Sequence, residues 1–257
     1  MLLNYAGVIP ISTVDWQGRS VATIFLRGCP LNCEYCQNRE YLTGENYVDI
    51  EEVKGEILQS KPFISGVVFS GGEPLMQHHA VHKLAKFAKS HGLLVGIHTN
   101  GCYQEEAMDL ILNNVVDKFF IDLKAPFSEP WTVAKVIGGK NEDFVHDAIY
   151  DMGESAKRIF RFSNVEFRTT IIPDLIDNSY QVSQIARWVH EYLSADVTYV
   201  LQQGNPEHCV DETLRKHPAA SRDELYALGK VATQYLHDVR IRTREKGEEK
   251  VKIPKKK

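Results

Sequence analysis

Long apolar runs are missing from this chain: none approaches the roughly 20 residues that a membrane span needs, and the first residues, Met1 to Tyr5, lack a basic segment followed by an apolar one. A membrane partner and a secretory route are therefore not expected, and a cytoplasmic setting is. Charge of one sign is also lacking. A formal net charge of −4 over 257 residues gives no general attraction to nucleic acid or to an anionic surface. Only the end from Arg244 is biased, with seven Lys or Arg against three Glu, and residues 252–257 read as a solvated, frayed end. Cysteine is scarce, at five, too few and too unevenly placed for a disulfide framework. No repeat, low-complexity segment or interdomain linker breaks the chain, and no cluster of acidic residues calls for Mg²⁺ on a phosphate.

What is present is the composition of an ordinary globular protein, 43% hydrophobic, 25% charged and 10% aromatic. Apolar, β-branched runs at 21–26, 66–70, 93–99, 116–123, 165–172 and 197–202 read as buried strands. Helical spacing separates them at 50–59, 79–91, 105–113, 142–160 (with a break expected near Gly153) and 180–193. A further helix is expected at 221–236, with Ser221 as N-cap and Glu224 closing a capping box, and then a short strand at 239–242. Strand and helix alternating six times argue a parallel sheet with right-handed crossovers. The fold class expected is α/β, a partial (β/α)6 TIM-like barrel with outer helices. The chain reads as one domain, 1–257, with a core of about 20–203, an N-terminal extension 1–19 and a C-terminal helix and tail 204–257.

The unusual residues follow the strands. Cys29, Cys33 and Cys36 come after the first, Gly71-Gly72-Glu73-Pro74 after the second and Thr99-Asn100-Gly101 after the third; Asp122 and Lys124 close the fourth, Arg168 lies in the fifth, and Gln202 and Gln203 end the sixth. In parallel α/β architectures sites form at those carboxyl ends. The spacing Cys-x3-Cys-x2-Cys supplies three thiolates with no fourth nearby. That suits a [4Fe–4S] cluster with one iron open to an outside ligand. The other reading is a zinc site completed by a distant His, or by Cys102 or Cys209; otherwise those two read as small buried residues. Two glycines at 71 and 72 allow close backbone approach to a ligand, and Glu73 could accept from a cation or merely serve the turn. Arg168, a cation inside a buried strand, demands an anion. A carboxylate would meet it bidentately, from a ligand or from a structural Asp.

Taken together, the cysteine run, the GGEP turn, Asn100, Asp122 and Arg168 resemble the radical SAM enzymes. The resemblance implies that Cys29, Cys33 and Cys36 ligate the cluster, whose open iron chelates S-adenosylmethionine (SAM), and that reduction yields a 5′-deoxyadenosyl radical. It further implies that Tyr35 lies beside the adenine, that Gly71, Gly72 and Glu73 meet the SAM ammonium and Arg168 its carboxylate, that Asp122 bonds the ribose, and that Asn100 lines the pocket. Segments 7–18, 25–28 and 239–243 extend the likeness over nearly the whole chain, toward the glycyl-radical-enzyme activating family and its archaeal-type activators of anaerobic ribonucleoside-triphosphate reductase. The implied partners are that reductase's catalytic subunit and a flavodoxin or ferredoxin electron donor. Where several activators carry an Asp near a monovalent cation, this chain has His98, a poor ligand for an alkali ion, so no cation site is expected. His78, His79 and His82 need no catalytic role and are expected on an exposed loop and helix. Two alternatives compete: a radical SAM enzyme acting on a small molecule, like 7-carboxy-7-deazaguanine synthase, and an iron–sulfur electron carrier without turnover.

Overall fold

A computed structural model describes residues 1–252; residues 253–257, and with them most of the frayed end expected at 252–257, lie outside the described residues. The chain gathers into two compact units, Met1–Pro30 with Asn38–Phe120 and Glu154–Asn164, and Leu31–Gln37 with Ile121–Gly153 and everything from Val165 on. Among the described residues no helix is long and apolar enough to cross a membrane.

In the first unit, strands β1 (Leu2–Ser12), β2 (Val21–Leu26), β3 (Tyr47–Asp49), β4 (Gly66–Gly71) and β5 (Leu94–Thr99) are joined by helices α1 (Ile50–Ser60) and α2 (His78–Ser90), with α3 (Gln104–Leu112) after β5. β2, β4 and β5 pair in parallel, Val21 opposite Gly66 and Gly66 opposite Leu94. Their near-continuous burial is what apolar runs covered on both faces produce. β1 is antiparallel to both β2 and β3. The expected N-terminal extension is thus largely a strand. Its pattern was illegible because Gly7 and Pro10 interrupt it, and the pairing with β2 slips between Ile9 and Ser12, the irregularity at which a strand tolerates proline.

Strand β6 (Lys118–Asp122) leads out of the first unit, and α4 (Pro130–Ile137) begins the helices of the second; α5 (Glu142–Phe162) starts in the second and from Glu154 belongs to the first, and the second continues with β7 (Val165–Ile171), α6 (Ser179–Tyr192), β8 (Thr198–Gln203), α7 (Glu212–Arg215), α8 (Arg222–Ala232), β9 (Asp238–Thr243) and β10 (Gly247–Lys250). β7, β8 and β9 are parallel, and β10 turns back antiparallel on β9. The alternation and parallel pairing bear out the α/β class. α5 runs unbroken through Gly153, where a break was expected: glycine weakens a helix by only about 1 kcal/mol, less than the packing of a 21-residue helix supplies. Ser221 and Glu224 form the expected capping box, although α8 ends at Ala232, four residues early. α4 was not foreseen. Eight residues are too few for a clear period, yet its signals are textual, Pro130 at the first turn and Gly138 in the left-handed conformation just past the end.

Candidate active site

In the first unit the segments leaving β2 and β4 are laced backbone to backbone. Gly72 N–H donates to the Leu26 carbonyl and Glu73 N–H to the Gly28 carbonyl, each at 2.8 Å; Asn38 Nδ2 donates to the Gly71 carbonyl at 2.9 Å. A Cβ on Gly72 would lie 2.7 Å from the Gly28 carbonyl carbon and nearer still to its oxygen. No side chain fits there. Gly71 also has φ of 111°, a conformation other residues rarely adopt. The two glycines therefore serve the protein's own close approach, between the turn that follows them and the segment that carries Cys29.

Glu73 is fully buried. Its Oε1 accepts from the Leu75 amide at 3.0 Å and the Thr99 hydroxyl at 2.9 Å, and its Oε2 from the Asn100 amide at 2.7 Å. One carboxylate thus caps the turn after β4 and ties it to the end of β5. Asn100, buried, donates from Nδ2 toward Cys29 Sγ at 3.6 Å and accepts from the Cys102 amide through Oδ1. Glu73, Asn100 and Cys29 are one hydrogen-bonded series. Thr99, which the sequence reading quoted without a role, is part of it. Tyr103 was missed altogether: burial, then the charges of Glu73, Cys102 and Cys29, push its phenol up to about 12, so it stands beside the same groups. Cys102 is half-buried rather than buried.

His98 holds the first unit together from beneath. Nε2 lies 2.9 Å from the Asp15 carbonyl and Nδ1 3.4 Å from Ser70 Oγ, and the ring meets Phe120 edge-on at 4.8 Å. Phe120 in turn packs in the core cluster of Trp16, Val21 and Val68. Both ring nitrogens thus have protein neighbours. His78 and His79 stack at the start of α2 with ring centroids 3.9 Å apart, and His82 lies 3.7 Å from Asp109.

The second unit holds the other two cysteines on the short segment Leu31–Gln37. Cys33 is buried and Cys36 half-buried, and the Cys36 amide closes a turn on the Cys33 carbonyl at 3.2 Å. The segment is clamped on two sides. Asn32 and Glu34 amides donate to the Ile137 and Val136 carbonyls at 3.0 and 2.8 Å, satisfying the open end of α4. On the other side the Glu34 carbonyl accepts from the Val210 amide, and its Oε1 from the Asp211 amide at 2.6 Å. Gly138, with φ of 68°, passes so close that a Cβ would lie 3.1 Å from the Asn32 carbonyl carbon and nearer to its oxygen. Cys209 is buried in the segment before α7, where its carbonyl accepts from Arg215 Nε at 2.6 Å.

Tyr35 is buried; burial drives its phenol well above the usual range, against the opposing effects of the Lys124 ammonium and a bond to Thr170. Lys124 Nζ stands 5.9 Å from the Tyr35 ring centre and 2.7 Å from Asp122 Oδ2. Burial alone would lower Lys124, yet Asp122, Cys33 and Tyr35 outweigh it and hold the ammonium protonated. Arg168, also buried, directs Nε to Glu166 Oε1 at 2.9 Å. A structural carboxylate, Glu166, does meet it, and the charge of Asp122 acts on it as well. Gln203 is buried and bridges the Ala220 carbonyl and the Arg244 amide.

Cys29, Gly71, Gly72, Glu73 and Asn100 are thereby brought together in one unit, and Cys33, Cys36, Tyr35, Asp122 and Arg168 in the other. Among the described residues no three His, Cys, Asp or Glu side chains gather as a metal site within either unit alone. Within each unit the cysteines have the chemistry of iron–sulfur ligands: thiols on short, tied-down segments, with an amide N–H directed at the sulfur of Cys29, the kind of bond that tunes such clusters.

Residues 23–181 match the model of the radical SAM superfamily. A Methanocaldococcus jannaschii protein, provisionally named a glycyl-radical enzyme activating enzyme, is 34% identical over 239 residues, 93% of this chain and 95% of that protein. The pyruvate formate-lyase 1-activating enzyme of Escherichia coli is 26% identical over 224 residues, 84% of this chain and 83% of that enzyme. The 7-carboxy-7-deazaguanine synthase of Hyperthermus butylicus is 36% identical over 91 residues, 34% of this chain and 38% of that one. Among solved structures, TYW1 with a lysine-pyruvate adduct superimposes with a TM-score of 0.62 at 16% identity, covering 88% of this chain and 77% of that one; the likeness shows the fold.

Proposed function

The chain belongs to the radical SAM superfamily and, within it, to the glycyl-radical-enzyme activating enzymes, and we propose that the partner it activates is anaerobic ribonucleoside-triphosphate reductase. The observation that carries the activator reading is the end-to-end match to the M. jannaschii protein. The choice of partner rests on segments 7–18 and 239–243, which in this chain build β1 with the start of the loop after it, and β9. The family uses a [4Fe–4S] cluster and SAM. Cys29, Cys33 and Cys36 would hold the cluster, which when bound would supply the electron for reductive cleavage of SAM, the net outcome being loss of an α-hydrogen from a glycine of the partner and release of methionine and 5′-deoxyadenosine.

This chain's own part is placement and protection. Cys29, Cys33 and Cys36 are the cluster ligands, and Asn100 steadies the first of them. Backbone groups at Gly71 and Gly72 and the Glu73 carboxylate face the SAM ammonium; Glu73, already accepting three bonds, does so as a fixed acceptor rather than a mobile one. Arg168 is the group for the SAM carboxylate. Asp122 bonds the ribose while Lys124 holds it in place, and Tyr35 packs against the adenine. The electron comes from a flavodoxin or ferredoxin. No general base is required.

A small-molecule reaction is the competing reading, favoured by the match to 7-carboxy-7-deazaguanine synthase, but that match spans only 34% of this chain. The test is an electron paramagnetic resonance spectrum of the reconstituted, reduced protein mixed with SAM and the reductase subunit. A glycine-centred doublet that collapses when the subunit's glycine is α-deuterated is the expected result. Accumulation of 5′-deoxyadenosine without any doublet would keep the radical chemistry and remove this partner.

A further inference from the structure

In the first unit β1 leaves one edge open. β3 pairs with it only over Leu2–Asn4, and Asn46 carries that contact on to Tyr5. Among the described residues nothing pairs with β1 on that side from Ala6 to Ile11, while β2 occupies the other side. In an antiparallel pair alternate residues turn their N–H and C=O away from the partner strand, so this stretch offers backbone donors and acceptors outward. Native edges are commonly blunted by charge. This one has none: residues 2–12 hold no Asp, Glu, Lys or Arg. Instead Ile9, Pro10 and Ile11 are exposed in succession, Ile9 at 44% and Ile11 at 50%. Pro10 and the irregularity beside it remove one donor and bend the strand, but they leave the apolar surface in place.

Beside the edge lies a groove of about 400 Å³, bounded by Val8, Pro10 and Ile11 of β1 and by Glu56, Gln59 and Phe63 at the end of α1 and just beyond it. Glu56 brings a charge into it. Its Oε2 accepts from the Tyr5 hydroxyl at 2.5 Å, and among the described residues its Oε1 accepts from none. Glu52, one turn earlier on the same face of α1, is exposed. The helix carries Glu51, Glu52 and Glu56 against Lys54 alone, and Lys54 is held by Glu51 at 2.7 Å.

We propose that this edge and groove dock an extended, apolar segment of a partner protein by strand addition, with a Lys or Arg of that segment meeting Glu56. The open backbone selects an extended chain, the groove selects apolar side chains, and Glu56 selects the cation. A second copy of this chain fits less well: its own Ala6–Ile11 holds no cation, and a two-fold pairing would bring the same carboxylates to both sides of one interface. The place also suits an anchor rather than a reacting loop. Ser12 is opposite Val21 and Tyr5 opposite Leu26, so Ile9–Ile11 lie toward the start of β2, whereas Cys29 follows its end.

The test is fluorescence anisotropy of the full chain with a labelled, blocked nine-residue peptide that alternates threonine with valine, one central valine replaced by lysine. Parent, Glu56→Gln and Ile11→Asp are compared, with circular dichroism melts to establish folding and sedimentation to give the oligomeric state. Saturable binding below about 1 mM is expected, weakened about 5-fold or more by Glu56→Gln, by glutamate in place of the peptide's lysine, and by Ile11→Asp. N-methylation of one alternate set of peptide amides should abolish binding while methylation of the other set leaves it, the mark of strand pairing. No binding, or binding indifferent to the peptide's charge and to its methylation, would overturn the proposal. A dimer that Ile11→Asp dissolves would overturn it too, because a second copy would then hold the edge. Should either variant fail to fold, the charge and methylation series on the parent decides the matter alone.

Discussion

Replacing Gly72 by alanine should uncouple the segment that carries Cys29 from the turn after β4. The added Cβ would stand 2.7 Å from the Gly28 carbonyl carbon, where ordinary contact begins at 3.4 Å. The obstacle is backbone, which has no rotamer to change, and its oxygen is nearer still, so the two segments must part by more than an ångström. Two bonds of 2.8 Å, Gly72 N–H to Leu26 and Glu73 N–H to Gly28, lie directly in that gap. Losing both, at about 0.5–1.5 kcal/mol each, and stranding buried partners brings the expected loss to roughly 2–4 kcal/mol. At about 2–4 °C per kcal/mol for a chain of this size, Tm should fall by roughly 5–15 °C. Iron and sulfide retained after reconstitution should fall with it. Gly55→Ala, in a half-buried stretch of α1, is the control, since a Cβ there meets nothing within 4 Å. A Gly72→Ala protein that melts within 2 °C of the parent and binds a full cluster would refute the steric reasoning.

Gly138→Ala should act on the other two cysteines, because its Cβ would press on the Asn32 carbonyl and the residue already holds φ of 68°; lower iron content on reconstitution is expected, and unchanged content would count against the clamp. Gly153→Ala should do the reverse of harm. Its Cβ would find Trp188 and Phe127 at 3.7–4.0 Å, ordinary contacts, so the helical preference of alanine should raise stability by about 0.5–1 kcal/mol, read as a Tm increase of roughly 1–4 °C. Asp238 provides a pH test. Burial pushes its carboxyl up, but bonds from Arg240, Lys250 and Thr198 outweigh burial and hold it at about 2, below its ordinary 3.8. A depressed carboxyl contributes stability that is complete above the unfolded value and is lost as pH falls toward the folded one. Asp238→Asn should therefore be less stable than the parent near neutrality by about 1 kcal/mol after allowance for solvent screening, and the gap in urea midpoints should narrow as pH falls from about 4 toward about 2; a gap independent of pH would contradict this.

The parallel strands were legible because burial on both faces leaves continuous apolar runs, as in Val21–Leu26 and Gly66–Gly71. The candidate site residues stood out for a related reason: at strand ends polar residues and glycines interrupt that apolar text. What escaped was whatever depends on a neighbour rather than on a period. β1 is held by antiparallel pairing across an irregularity at Pro10, and α4 by capping and by the amides of the cysteine segment. Glu73 was read as an acceptor for a ligand, and the structure adds that it already binds Leu75, Thr99 and Asn100; no local pattern announces that. The same holds for Glu166, whose two arginine partners lie 2 and 76 residues away, and for Tyr103, a single aromatic in an unremarkable stretch.

The most direct test of the activator account follows one hydrogen atom. The reduced, cluster-loaded protein is incubated with SAM and with reductase subunit whose glycines are α-deuterated, and the 5′-deoxyadenosine formed is weighed by mass spectrometry. The account predicts a nucleoside heavier by one deuterium, in amount matching the glycyl radical produced. Unlabelled 5′-deoxyadenosine formed at the full rate would contradict it, because the radical would then be taking its hydrogen from elsewhere.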